Sequence, residues 1–165
     1  MADTKREKQI TWSDPAETLR DLSITGLEHM QAIRDGRIPP PPIAMLTGYR
    51  IVEVEQGRTV FELTPEECHY NPFSTVHGGI LSTLLDTAMT GSVISTLPAG
   101  QVCTTVDITI KYMRPVTAAT GTLQCTAKPI HTGKRLATAE GRITDPGGNL
   151  IAHGVSTCTI FTPKP

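Results

Sequence analysis

Apolar and polar positions alternate with two different periods along the chain. From His77 to Thr96 the apolar residues Ile80, Leu81, Leu84, Leu85, Ala88 and Met89 recur at helical spacing, which predicts a central helix with one stripe against a core. At about 100° per residue, Gly79, Ser82, Thr83, Asp86 and Thr90 gather on the opposite face. Asp86 is the only charged residue between Asn71 and Thr96. A solvated helix face carries several Lys and Glu; small residues around one carboxylate predict close packing against another surface, expected to be a second subunit.

Before this helix, Asp14 reads as an N-cap with Pro15 at the first helical position, and Leu19, Leu22, Leu27, Met30 and Ile33 predict a helix over about 15–35. Gly26 interrupts the stripe, and Gly36 stops it. Pro39 to Pro42 impose an extended connector. The period then shifts toward two. Residues 44–55 and 58–64 read as strands around Gln56-Gly57, and 102–113, 120–130, 135–144 and 149–161 as four more. In 102–113, alternation places Thr104 with Val102, Val106, Ile108, Ile110 and Tyr112 on an apolar face and Thr105 on the polar one. The sum is an α+β architecture, an antiparallel sheet wrapped around one long helix. A helical extension over 1–43 is expected to precede a domain over 44–165.

Composition narrows the function classes. A chain of 165 residues and 17.8 kDa supports one core. The net charge of −1, with scattered cations, argues against a nucleic-acid partner. With no apolar run of membrane-spanning length and no signal-type N-terminus, a soluble, cytoplasmic protein is expected. Cys68, Cys103, Cys125 and Cys158 lack CxxC spacing and are expected to be free, mostly buried thiols. The five histidines lack metal-ligand spacing, and no GxSxG elbow is present, so neither a metal nor a Ser/His/Asp triad is expected.

The stretch Asn71-Pro-Phe-Ser-Thr-Val-His77-Gly78-Gly79, then Leu85-Asp86, then Thr105 to Pro115, then His131-Thr132-Gly133-Lys134, resembles the hotdog-fold acyl-CoA thioesterases of the phenylacetate-degradation (PaaI-like) type. The similarity runs from about Gly48 to Phe161. It implies the hotdog fold and a homodimer with a continuous sheet, often paired again into a homotetramer, with active sites at the subunit interface. It implies no cofactor, coenzyme A being part of the substrate. Position by position, Asp86 matches the family's general base or nucleophile and Asn71 the residue that positions water or thioester. Gly78 matches the backbone donor to the thioester carbonyl, with His77 beside it. Thr105 falls where relatives orient the water, and Thr90 matches a helix threonine of a neighbouring branch.

Elementary chemistry agrees with that assignment. A helix start at His77-Gly78-Gly79 leaves unpaired N–H groups at the positive end of the helix dipole, suited to an oxyanion. Asp86 lies about 12 Å farther along the axis, so it can serve only the helix start of a facing subunit. Arg114, Lys134 and Arg135 are candidates for the phosphates of coenzyme A. A non-catalytic acyl-CoA binding or sensing protein on the same fold is the alternative, and a hydratase or dehydratase ranks last.

Overall fold

The computed structural model describes residues 4–19 and 21–163. Among these residues three α-helices, α1 (Gly26–Arg34), α2 (Pro42–Thr47) and α3 (Gly78–Ile94), accompany six strands. These are β1 (Tyr49–Glu55), β2 (Arg58–Leu63), β3 (Val102–Tyr112), β4 (Leu123–Thr132), β5 (Leu136–Thr144) and β6 (Leu150–Phe161). All pairings are antiparallel in the order β1-β2-β4-β5-β6-β3, leaving β1 and β3 as edges. The sheet curls around α3, the hotdog arrangement.

α3 forms because its apolar stripe has somewhere to go. Leu81, Leu84, Leu85, Ala88, Met89 and Val93 are buried in one core with Phe61, Leu63, Leu123, Ile143 and Ile151 from the sheet. The helix sits close because Gly141 and Gly154, paired across β5 and β6, carry no side chain. A Cβ on Gly141 would lie 3.0 Å from both Leu85 Cδ2 and Met89 Cγ. Register shifts in β1, β3 and β4 supply the curvature, each adding a residue that bends its strand. Pro129 stands beside the β4 shift, where a missing N–H is tolerated.

Four expectations need correction. The helix over 15–35 is two pieces, a 3₁₀ turn at Pro15–Thr18 and α1. Gly26 begins α1 and does not interrupt a longer helix. Thr25 and Glu28 form a reciprocal capping box there, and Leu19 stays exposed. The strand expected over 44–55 starts only at Tyr49. Pro41 and Pro42 occupy the N-cap and first position of α2, where fixed φ and a missing donor cost nothing, and Gly48 ends α2 in the left-handed region at φ 79°. The strand expected over 120–130 runs over Leu123–Thr132, after a 3₁₀ turn at Ala118–Thr120.

The fourth correction matters most for the site. The register of β3 against β6 shifts between Thr105 and Asp107, so Val106 is an unpaired, exposed bulge residue. One extra residue inverts the alternation. Thr105 therefore points toward α3, on the same side as Ile108 and Ile110 beyond the bulge, and Thr104 is exposed.

Candidate active site

α3 presents Asp86 half-buried beneath the first half of β3. Thr105 Oγ1 donates to Asp86 Oδ1 at 2.7 Å, and Thr90, one turn along the helix, shares a 2.9 Å hydrogen bond with the same hydroxyl. Oδ1 is thus held, and Oδ2 has no hydrogen-bond partner among the described residues. Asp86, Thr90 and Thr105 line a cavity of about 730 Å³ that extends toward α1 and α2. Tyr49 lies beside them; burial pushes its hydroxyl above the usual tyrosine range, opposed by a hydrogen bond with Thr87 and reinforced by the charge of Asp86. Cys103 also borders the cavity, its thiol held protonated, with its pKa pushed up by its hydrogen bond to Cys158 and by burial.

A second group of residues assembles at the start of α3. His77 is its N-cap, and His77 Nδ1 accepts the Gly79 N–H at 2.9 Å. The Gly78 N–H, next along the helix, has no hydrogen-bond partner among the described residues. Tyr112, from the far end of β3, lies over Gly78, and a Cβ there would sit 3.2 Å from the ring. The Tyr112 hydroxyl is 2.6 Å from Ser82 Oγ and 3.2 Å from the Gly78 carbonyl oxygen, to which Ser82 also donates at 2.9 Å. The small-residue face of α3 is therefore partly covered by β3 of the same chain, Thr105 over Thr90 and Tyr112 over Ser82.

Asn71 shapes the approach to this helix start. Its Oδ1 accepts from the Phe73 and Thr75 N–H groups at 2.8 and 3.3 Å, and its Nδ2 donates to Thr75 Oγ1 at 2.9 Å. Within one subunit the carboxamide thus holds the 71–75 turn that leads to His77. Gly78 and Arg114 border a shared cavity of about 370 Å³, and Arg114 Nη1 donates to the Leu150 carbonyl at 2.7 Å. Lys134 and Arg135 lie exposed in the β4–β5 connection and border neither cavity. One subunit thus brings Asp86, Thr90 and Thr105 together at one end of β3, and His77, Gly78 and Gly79 at the other. Tyr49, Tyr112 and Ser82 were not among the expected site residues. Their proximity is long-range, and only the small size of Ser82 was visible beforehand. Among the described residues no group of three or more His, Cys, Asp or Glu is placed to hold a metal, and no helix is long and apolar enough to cross a membrane.

His69 braces the same approach. It is buried, its Nδ1 accepts the Glu66 N–H at 3.1 Å, and its carbonyl accepts the His77 N–H at 2.8 Å. Burial, aided by Lys8, holds its pKa below the ordinary histidine value despite the opposing charge of Glu66. The folded state therefore favours neutral His69 while the unfolded chain binds a proton more readily. This contribution to stability is complete above about pH 6.5 and is lost as pH falls below that. Melting temperature should fall between pH 7.5 and 5.5, and His69→Asn, which keeps an acceptor but cannot titrate, should flatten that slope. Equal slopes in the two proteins would remove His69 from the account.

Comparisons with known proteins converge on one group. The family described as "Thioesterase superfamily" matches residues 73–152. A 1,4-dihydroxy-2-naphthoyl-CoA hydrolase of Listeria monocytogenes is 30% identical over 117 residues, 71% of this chain and 92% of that protein. Human acyl-coenzyme A thioesterase 13 is 33% identical over 108 residues, 65% of this chain and 76% of the relative. Among solved structures, a phenylacetic acid degradation-related protein of Ralstonia eutropha superposes with a TM-score of 0.72 at 26% identity, covering 79% of this chain and 98% of its own. The E. coli PaaI protein shares the fold, with a TM-score of 0.73 at 24% identity over 84% of this chain and 98% of its own.

Proposed function

The chain belongs to the thioesterase superfamily and is a thioester hydrolase, and from that premise we propose that it cleaves acyl-CoA thioesters at a site shared between two subunits. Asp86 is the catalytic carboxylate, acting as general base toward water or as nucleophile. The Gly78 N–H of the facing subunit polarises the thioester carbonyl. As general base, Asp86 takes a proton from water as the water oxygen adds to the acyl carbon, the C–S bond breaks, and that proton passes to the leaving coenzyme A thiolate. As nucleophile, the carboxylate oxygen displaces the thiolate to give an acyl anhydride that water then hydrolyses, releasing the acid and the proton that the thiolate takes up. Thr105 orients Asp86 by holding Oδ1, with Thr90 behind it. Asn71 and His77 position the Gly78 amide, and Gly79, Arg114, Lys134 and Arg135 face the coenzyme A portion.

The observation that carries this reading is the layout of β3. Its first half covers Asp86 through Thr105, its last residue covers Gly78 through Tyr112, and its outer edge pairs with no strand among the described residues. An unpaired edge bearing exposed Val106 and Tyr112 suits pairing with a copy of itself. An antiparallel β3–β3 pairing about a two-fold axis sets one copy's Thr105 end beside the other copy's Tyr112 end. Asp86 then approaches the partner's helix start, which supplies the free donor that its own subunit holds about two turns away. The favourable helix dipole and the N–H would act on the charge that develops on the carbonyl oxygen.

The direct test is release of free thiol from a broad acyl-CoA panel by the intact oligomer. Turnover of some member supports the reading; turnover of none overturns it. Thr105→Val, which keeps shape and removes the donor to Asp86, should lower kcat/KM about ten-fold or more, because a hydrogen bond to a charged group contributes roughly 1.5–3 kcal/mol. Unchanged kinetics would show that Asp86 needs no such support.

A further inference from the structure

The cavity above Asp86 is walled on one side by segments that precede the residues matched to the superfamily. α3 contributes Asp86, Thr90, Gly91 and Ile94, while α1 and α2 contribute Met30, Ile33, Ala44 and Met45. α1 is seated against the end of α3, where the Gly26 N–H donates to the Leu97 carbonyl at 2.9 Å. Gly91 lets Met30 of α1 seat directly against α3, since a Cβ there would come within 2.9 Å of Met30 Cε and 3.5 Å of the Phe61 ring.

Resting on the reading of Asp86 as catalytic carboxylate, we propose that α1 and α2 form the acyl-binding wall of this site, and that the group bound there is a linear, uncharged acyl chain of medium length. Three features point to that occupant. The wall that α1 and α2 supply is aliphatic at Met30, Ile33, Ala44 and Met45, with the rings of Tyr49 and Phe61 elsewhere in the lining, and the two methionines suit a flexible chain because their unbranched side chains adapt to it. The bordering cations are already paired, Arg34 with Asp35 at 2.7 Å and Arg50 with Glu62 at 2.6 Å, so an acidic tail would meet no free counter-charge while approaching Asp86. The α3 wall from Asp86 to Ile94 rises about 12 Å, and an extended chain advances about 1.3 Å per carbon from its ~1.5 Å bonds, which gives about eight to ten carbons.

The experiment measures kcat/KM of the full chain on straight-chain acyl-CoAs from acetyl to tetradecanoyl, together with benzoyl-CoA and a naphthoyl-CoA. Values should rise about three- to four-fold per methylene, the gain expected from burying each one, and level off near decanoyl. Ile33→Trp and Met45→Trp, each filling the cavity from its extension side, should cut the decanoyl-to-butanoyl ratio at least ten-fold. A flat profile, a ten-fold preference for either aroyl thioester over decanoyl, or an unchanged ratio in both folded variants overturns the inference while leaving acyl-CoA hydrolysis standing. If neither variant folds, the wild-type profile alone decides. If the wild type hydrolyses nothing, the catalytic reading fails and affinity for S-alkyl-coenzyme A thioethers decides the pocket: tighter binding with each methylene supports it, and length-independent binding overturns it.

Discussion

Asp86→Asn should lower kcat on the best acyl-CoA by about 10²–10⁴-fold, the range over which a positioned base contributes, with little change in melting temperature. The separation of the two effects follows from the geometry. Asn keeps the shape and an oxygen to accept the 2.7 Å bond from Thr105, so the packing of α3 under β3 survives. What disappears is the proton affinity of the oxygen that faces the cavity. A folded, oligomeric Asp86→Asn protein with full turnover would remove the carboxylate from the chemistry and favour a different residue or a non-catalytic binding role.

Gly26→Ala should detach α1 from the body of the protein. A Cβ at this position would lie 1.7 Å from the Ile94 carbonyl oxygen and 2.7 Å from its carbon, and a backbone carbonyl cannot rotate out of the way as a side chain can. The chain must shift, and the bond from the Gly26 N–H to the Leu97 carbonyl is strained with it. Helix propensity favours Ala by about 1 kcal/mol. Overpacking of this kind costs about 1–3 kcal/mol, and a clash with backbone belongs at the upper end. The net should be a melting temperature lower by several degrees, on the order of 2–4 °C per kcal/mol for a chain of this size. Amide exchange should quicken across Gly26–Arg34 while α3 remains protected. Exchange and melting equal to wild type would mean that α1 is not seated on the end of α3.

The two substitutions mark where the chain was readable and where it was not. α3 was legible because an apolar stripe and a nearly uncharged face are local, periodic signals, and its bounds at Gly78 and Ile94 fall near the expected His77 and Thr96. The turn at Gln56-Gly57 was legible for the same reason: local chemistry dictates it. α1 was misplaced although its signal was present, since Thr25 and Glu28 have capping-box spacing. Asp14-Pro15 offered a competing start that the chain uses only for a 3₁₀ turn. α2 hid behind the prolines, which fit the first turn of a helix as well as an extended connector. The orientation of Thr105 depended on a bulge at Val106, set by pairing with β6 fifty residues away, and strict alternation could not contain it. The meeting of Tyr112 with Gly78 is of that same long-range kind.

Activity of mixed subunits tests the shared site most directly. Asp86→Asn spoils the carboxylate, and Gly78→Val should spoil the donor, because a side chain at residue 78 runs into the Tyr112 ring 3.2 Å away. Each variant alone has every site defective. When the two are co-expressed in equal amounts, about half of the dimers are mixed and each mixed dimer holds one intact site, so about one quarter of wild-type turnover should return. A mixture no more active than its separate components, with mixed dimers demonstrated by two affinity tags, would contradict a site built from two subunits.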